Sequence, residues 1–308
     1  LTLTISRGDL GGIGFSGTLR QNPEGPFAGR LNASGRGLNG TVLLSGQGRR
    51  QVATVAMRAR NTALPGAAGF SAGFAIMDAT IVMGESSDIT ADVQLAQARL
   101  RDVRLATGRI KVDYRAGAGT ASFVADGTSG VPFRLSGSAD LQPALWRIVV
   151  NGQVAGIAVR SQGPARIRPV GGAYEILPSR LSLGRGDIEL AGRVGDRLAL
   201  KGTLSGVDLA IADAFMPRLG LGGLASGSFD LDAAGGSAMP RLDARLRVAG
   251  LNRSTAEVVS QPLDVDLTAQ LGGQAGSLRA VLRSRGAVVG RAVASVDDLP
   301  GGDGRWTA

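Results

Sequence analysis

The sequence predicts an all-β protein: an elongated, curled, largely antiparallel β-sheet with one or few short helices. Three observations predict it. Hydropathy alternates with a period of two along most of the chain, Gly-rich turn signals separate the alternating runs about every ten to fifteen residues, and hardly any segment carries a helical period.

The alternation is readable strand by strand. Ile110, Val112 and Tyr114 alternate with Lys111, Asp113 and Arg115. Leu198, Leu200 and Leu204 alternate with Ala199, Lys201 and Thr203. In the segment 241–248, Leu242, Ala244, Leu246 and Val248 point one way while Arg241, Asp243, Arg245 and Arg247 point the other. The segment 264–271 repeats this, with Val265, Leu267, Ala269 and Leu271 set against Asp264, Asp266, Thr268 and Gln270. Leu278 and Leu282 continue the apolar set on the next run. Strands with one wet and one apolar face suit antiparallel sheets, since parallel α/β strands are apolar on both faces.

Turns are expected at Asn22-Pro23-Glu24-Gly25, Gly117-Ala118-Gly119, Gly171-Gly172, Gly235-Gly236 and Gly272-Gly273. That spacing implies roughly 22–26 strands. One segment reads as a helix: Asp208 caps Leu209 to Met216, and Pro217 ends it. The uncharged stretch Asn61–Met77 is shorter than the ~20 apolar residues of a membrane span and contains Pro65. It reads as a loop followed by a strand starting near Phe70. One helix cannot cover so many strands, so the apolar faces bury against each other or against something that is not protein. Residues 1–308 read as one β-repeat segment with a sub-repeat boundary near 207–226. Because the chain begins at Leu1 without Met, it reads as an excerpt of a longer protein.

Composition excludes several chemistries. With no Cys and no His, disulfides, thiol nucleophiles, Cys/His zinc sites and Ser-His-Asp triads cannot form. No catalytic residue, cofactor or metal is expected, and the chain does not read as an enzyme. The net charge of +9 is carried almost wholly by Arg, the only lysines being Lys111 and Lys201. The arginines are dispersed along strands and aromatic stacking residues are scarce, so no nucleic-acid partner is expected.

Short motifs dissolve on inspection. Gly69-Phe70-Ser71-Ala72-Gly73 matches a nucleophile elbow, but that elbow needs a His base. Gly35-Arg36-Gly37-Leu38-Asn39-Gly40 matches a dinucleotide fingerprint, yet strand-like Thr41-Val42-Leu43-Leu44 follows where a helix is required, so it reads as a turn. Asp230 with Asp232, and Asp264 with Asp266, lie two apart on a strand; such pairs serve glycoside hydrolysis or simply decorate a wet face. Gly301-Gly302-Asp303-Gly304 matches a calcium-binding nonapeptide repeat but occurs once.

The most specific pattern lies in 188–252. It runs Ile188-Glu189-Leu190-Ala191-Gly192, Leu198-Ala199-Leu200-Lys201-Gly202 and Val207-Asp208-Leu209-Ala210. Met216-Pro217-Arg218-Leu219-Gly220-Leu221-Gly222-Gly223 follows, then Ala225-Ser226-Gly227-Ser228-Phe229-Asp230-Leu231-Asp232-Ala233-Ala234-Gly235-Gly236, Pro240, and a strand to Val248-Ala249-Gly250-Leu251. This resembles the TamB family within the AsmA-like, bridge-like lipid-transfer proteins of the bacterial envelope. Over residues 170–290 the likeness is one of motif; before that it is compositional. The resemblance implies an open U-shaped sheet (a β-taco) with a hydrophobic groove, in the periplasmic part of an inner-membrane-anchored protein. It also implies phospholipid transport between inner and outer membranes, in outer-membrane biogenesis, and a TamA-type outer-membrane barrel as partner through regions not seen in this sequence.

The residue-level reading is compatible with that picture. Some thirty methylenes of a phospholipid exposed to water would cost on the order of 20 kcal/mol at ~0.8 kcal/mol each, and an aliphatic groove removes most of this without any catalytic group. The lining expected from alternation is Ile110, Val112, Leu198, Leu200, Leu204, Leu242, Leu246, Val248, Val265, Leu267, Leu271, Leu278 and Leu282, with phospholipid acyl chains as the partner. The alternatives are a structural or adhesive β-solenoid with a dry core, and a carboxylate-based enzyme on a β scaffold.

Overall fold

The structure is a computed structural model. It describes residues 1–23, 25–63, 70–84, 87–100, 103–214, 220–234, 240–253, 260–272, 275–297 and 305–307. The expected turn residues Glu24, Gly235, Gly236 and Gly273, the helix end at Met216–Pro217, and Pro65, Gly69 and Gly301–Gly304 lie outside them.

The chain is all-β and antiparallel, and it divides into two units, Leu1–Pro143 and Ala144–Ala308. The expected sub-repeat boundary near 207–226 falls within the second. The first unit holds β1 (Thr2–Leu10), β2 (Ile13–Gln21), β3 (Phe27–Gly35), β4 (Leu38–Gln47), β5 (Arg50–Ala63), β6 (Ser71–Met83), β7 (Asp88–Leu100), β8 (Val103–Arg115), β9 (Ala118–Ser129) and β10 (Val131–Gln142). Each pairs with the next in sequence, always antiparallel.

The second unit holds β11 (Leu145–Val154), β12 (Ile157–Ser161), β13 (Ala165–Val170), β14 (Ala173–Leu183), β15 (Gly186–Val194), β16 (Arg197–Asp208), β17 (Leu221–Ala234), β18 (Arg241–Arg253), β19 (Leu263–Gly272), β20 (Ala275–Ser284), β21 (Ala287–Asp297) and β22 (Arg305–Thr307). Here too pairing runs antiparallel between sequence neighbours, with one variation. β12 and β13 are the two halves of one strand interrupted at Gln162-Gly163-Pro164: β11 and β14 each pair with both halves. The Gln162 amide closes the gap by donating to Ser182 Oγ at 2.6 Å and by binding Asp187.

Local chemistry sets the hairpins. Ala116 and Gly117 join β8 to β9 with φ of 51° and 86°, the pair of positive values that matches the twist of flanking strands. The turn therefore sits one residue earlier than the Gly117-Ala118-Gly119 signal suggests. Asp88 holds it from the side, its carboxylate accepting the Ala116 N–H at 2.8 Å. The Gly35–Gly40 stretch is likewise the β3–β4 hairpin, turning at Arg36-Gly37.

The expected helix is a 3₁₀ turn over Leu209–Ala214, with Asp208 Oδ1 accepting the Ala210 N–H at 2.9 Å. The cap is where the sequence places it. The segment is too short to reward α-helical pairing, and tertiary contact carries it.

Among the described residues, neither unit shows a second layer over the apolar side of its strands. Among the described residues no large side chain is fully buried. The chain exposes 18860 Å², whereas two compact globules of half its 31.3 kDa would expose about 14,500 Å² together.

Candidate functional site: an uncovered apolar face

Register decides which residues share a face. In the second unit the row Leu204–Gly227–Leu246–Leu267–Ala280 runs across β16 to β20. Beside it lie Leu200–Leu231–Leu242–Leu271 and Val207–Ala225–Val248–Val265–Leu282. Leu198 stands two residues before Leu200, and Leu278 pairs with Ala269. All the residues expected as lining from Leu198 to Leu282 therefore lie on one face of this unit. Ile110 and Val112 belong to the corresponding face of the first unit, in the rows Met57–Met77–Val93–Ile110–Phe123 and Val55–Ala79–Ala91–Val112–Ala121.

Their surroundings differ. Leu198, Leu200, Leu204, Leu242, Leu246, Leu267, Leu271, Leu282 and Val112 are half-buried. Ile110 and Leu278 are exposed, at 46% and 37%. Val248 and Val265 are buried, in a cluster with Ala225 and Ala280 against which Leu204, Leu209, Leu251, Leu263, Leu267 and Leu282 pack. These two valines are local core, which alternation alone could not distinguish from groove wall. The apolar side is also more sheltered than its composition requires. On β5, Ala53 and Ala59 of the apolar face are 5% and 4% exposed, while Ala56 of the other face is exposed.

The burial has a geometric source. In the second unit the ladder slips between Leu204 and Val207, between Gly222 and Leu224, and between Val248 and Leu251, on three neighbouring strands. Bulges bend a strand and raise its twist, so a line of them creases the sheet. In the first unit pairing is interrupted at one level on β5 to β8, with Asn61 and Gln97 in the left-handed region and a slip between Leu105 and Thr107. Beside that line Ala59, Thr62, Ala72 and Ala98 are buried.

The ion pairs occupy the opposite face. Those described are Arg50–Asp88, Arg109–Asp92, Arg115–Asp113, Arg134–Asp126, Arg168–Glu175, Arg180–Glu189, Arg197–Asp232, Lys201–Asp230 and Arg283–Asp266. The carboxylates singled out as hydrolytic pairs are all engaged there: Asp230 with Lys201, Asp232 with Arg197, Asp266 with Arg283, and Asp264 with the Gly250 N–H at 3.0 Å. Hydrogen bonds from Arg109 and Arg197 hold Asp92 and Asp232 below the usual carboxylate range and raise both guanidinium groups in turn. Asp88 is lowered first by the Ala116 N–H, then by Arg50. Ser71 of the elbow-like motif is an ordinary strand residue opposite Ala63 and Arg99.

Each unit carries hollows that the sequence did not reveal. In the first unit a hollow of about 850 Å³ is bordered by the rows Thr54–Thr80–Thr90–Asp113–Thr120 and Ala56–Asp78–Asp92–Lys111–Ser122. In the second, one of about 480 Å³ includes Lys201, Asp230, Asp243, Arg245 and Thr268. Val55, Ala79, Ala91, Val112 and Ala121 of the apolar rows also border the first hollow, and Gly202, Phe229, Ala244 and Ala269 the second. A twisted sheet is saddle-shaped, and a saddle is hollow along one diagonal of each face. The chain's two lysines each head a Lys–Asp–Asp row there, Lys111–Asp92–Asp78 and Lys201–Asp230–Asp243. No group of three or more metal-ligating side chains occurs among the described residues, and no helix there is long and apolar enough to cross a membrane.

Comparison with protein-family models, curated proteins and solved structures returns no match to this chain.

Proposed function

We propose that the chain is a segment of a periplasmic conduit of the TamB kind, which carries phospholipids between the inner and outer membranes with their acyl chains against the apolar face. The observation that supports this reading is the segregation of the two faces. Rows without a charged side chain run across consecutive strands with no layer over them among the described residues, while the ion pairs stand on the reverse side. Such a surface binds acyl chains by desolvation alone, at ~25 cal/mol per Å², and without a charge on the path it offers few traps. The described strand pairs are antiparallel, whereas a parallel β-solenoid requires parallel ones.

A photoreactive residue at Leu200 or Leu242, illuminated in cells and analysed by mass spectrometry, should capture phospholipid. The same residue at Arg245, on the reverse face, should not. Equal capture on both faces, or none on either, would overturn the proposal.

A further inference from the structure

The two margins of the apolar face in the second unit are not equivalent. At one margin β16 ends, the 3₁₀ turn Leu209–Ala214 follows, β18 ends at Leu251–Arg253 and β19 begins at Leu263. That margin is creased by the bulge line, and Leu209 packs onto its cluster. Every buried residue larger than alanine described in this unit lies there: Leu183, Val207, Val248 and Val265. At the other margin, where β16 begins and β19 ends, Leu198, Leu242 and Leu271 are half-buried, as are Leu251 and Leu263, but no buried residue larger than alanine is described there.

Between the margins the open apolar rows run from Leu198 to Leu204, six residue steps or about 20 Å along a strand. One leaflet of a bilayer is about 15 Å deep in hydrocarbon, half of the ~30 Å core. The open strip is thus one acyl chain deep and too short for two chains end to end. The first unit repeats the plan on its own strands, with buried Ala72 and Ala98 beside its interrupted row.

Resting on the lipid reading above, we infer that the creased margin is the floor of the site. Phospholipid lies along the strands with its chain ends toward Leu251 and Leu263 and its headgroup at the margin of Leu242 and Leu271. Entry is then from the uncreased side only, and the floor limits the length of chain that can be held. The physical reason is the difference in free surface. Chain ends gain most where they meet the packed cluster beneath Leu209, and a charged headgroup stays hydrated only at the edge where the sheet is open.

Because the chain has no cysteine, single labels are unambiguous. The whole chain carrying Leu271→Cys or Leu263→Cys, each with an environment-sensitive fluorophore, is mixed with vesicles of phosphatidylglycerol and phosphatidylethanolamine. These contain a phospholipid with a nitroxide either on the headgroup or near the chain end. At Leu271 the headgroup nitroxide should quench at least threefold more than the chain-end one, and at Leu263 the order should reverse. Leu251→Cys on the neighbouring strand replaces Leu263→Cys if circular dichroism shows that variant unfolded. Quenching with the same or the opposite order at the two margins overturns the orientation while leaving the lipid reading intact. Quenching at neither margin overturns both.

Discussion

A carboxylate introduced at two neighbouring apolar positions, Leu246 and Val248, should have very different consequences. Both side chains point to the same face of β18, two residues apart, opposite Leu267 and Val265. Val248 is 5% exposed in the cluster beneath Leu209, whereas Leu246 is half-buried on the open strip. Val248→Asp loses about 1.5–3 kcal/mol of apolar burial and adds about 1–3 kcal/mol for an unpaired polar group. The sum is roughly 2.5–6 kcal/mol. At Leu246 the carboxylate can hydrate, and only part of the leucine transfer is lost, about 1 kcal/mol. For a unit of this size 1 kcal/mol moves the melting midpoint by about 2–4 °C. Val248→Asp should therefore lower it by roughly 5–24 °C and Leu246→Asp by about 2–4 °C, the latter with loss of co-purified phospholipid. Circular dichroism melts with lipid analysis of both variants provide the measurement. Equal shifts at the two positions would refute the division of this face into a packed floor and an open strip.

Three further outcomes follow from the strand chemistry. Gly227→Ala should cost several kcal/mol, because its φ is 144° and a Cβ would stand 2.0 Å from the Arg245 carbonyl oxygen. Gly286→Ala, with φ of 85° and open space, should cost about 1 kcal/mol by denaturant melts. Asp88 is lowered when folded, so its contribution is complete above the unfolded carboxylate range near pH 4 and fades as pH falls through its lower folded value. Hydrogen exchange at Ala116, whose N–H the carboxylate accepts, should accelerate, relative to the intrinsic rate, below about pH 4 or in Asp88→Ala, and unchanged protection would show that the carboxylate does not hold the turn. Asp230→Ala and Ser71→Ala remove only an exposed ion pair and a strand hydroxyl. Each should stay within about 0.5 kcal/mol of wild type and keep function in cells; a folded, abundant but inactive variant would point to catalysis.

The pattern of faces was legible because period-two alternation is a property of single strands. Segments 241–248 and 264–271 carry the same alternation, and the register places Leu242 against Leu271 and Val248 against Val265, so their apolar sides coincide. What stayed hidden depends on neighbours. Val248 and Leu246 look alike in sequence, and only the slip before Leu251 and the contact with Leu209 make one of them core. The division of one strand into β12 and β13 hinges on Gln162 reaching Asp187, a partner 25 residues away. The hollows and the two Lys–Asp–Asp rows exist only once β6, β7 and β8 and, in the second unit, β16, β17 and β18 are aligned. Asp208 announces its cap, but nothing in Leu-Ala-Ile-Ala-Asp-Ala distinguishes a 3₁₀ turn from the first turn of a longer helix.

Pairing between sequence neighbours also makes each unit open to growth. No described strand waits for a distant partner, so a hairpin can be added or removed without re-pairing any other strand. Each added hairpin extends a sheet by about 10 Å. Such a chain can close each strand onto the last as it emerges, at the modest loop-closure cost of short connections. A protein that reaches its compartment threaded end-first would then assemble in the order of delivery, and its reach would be set by counting hairpins.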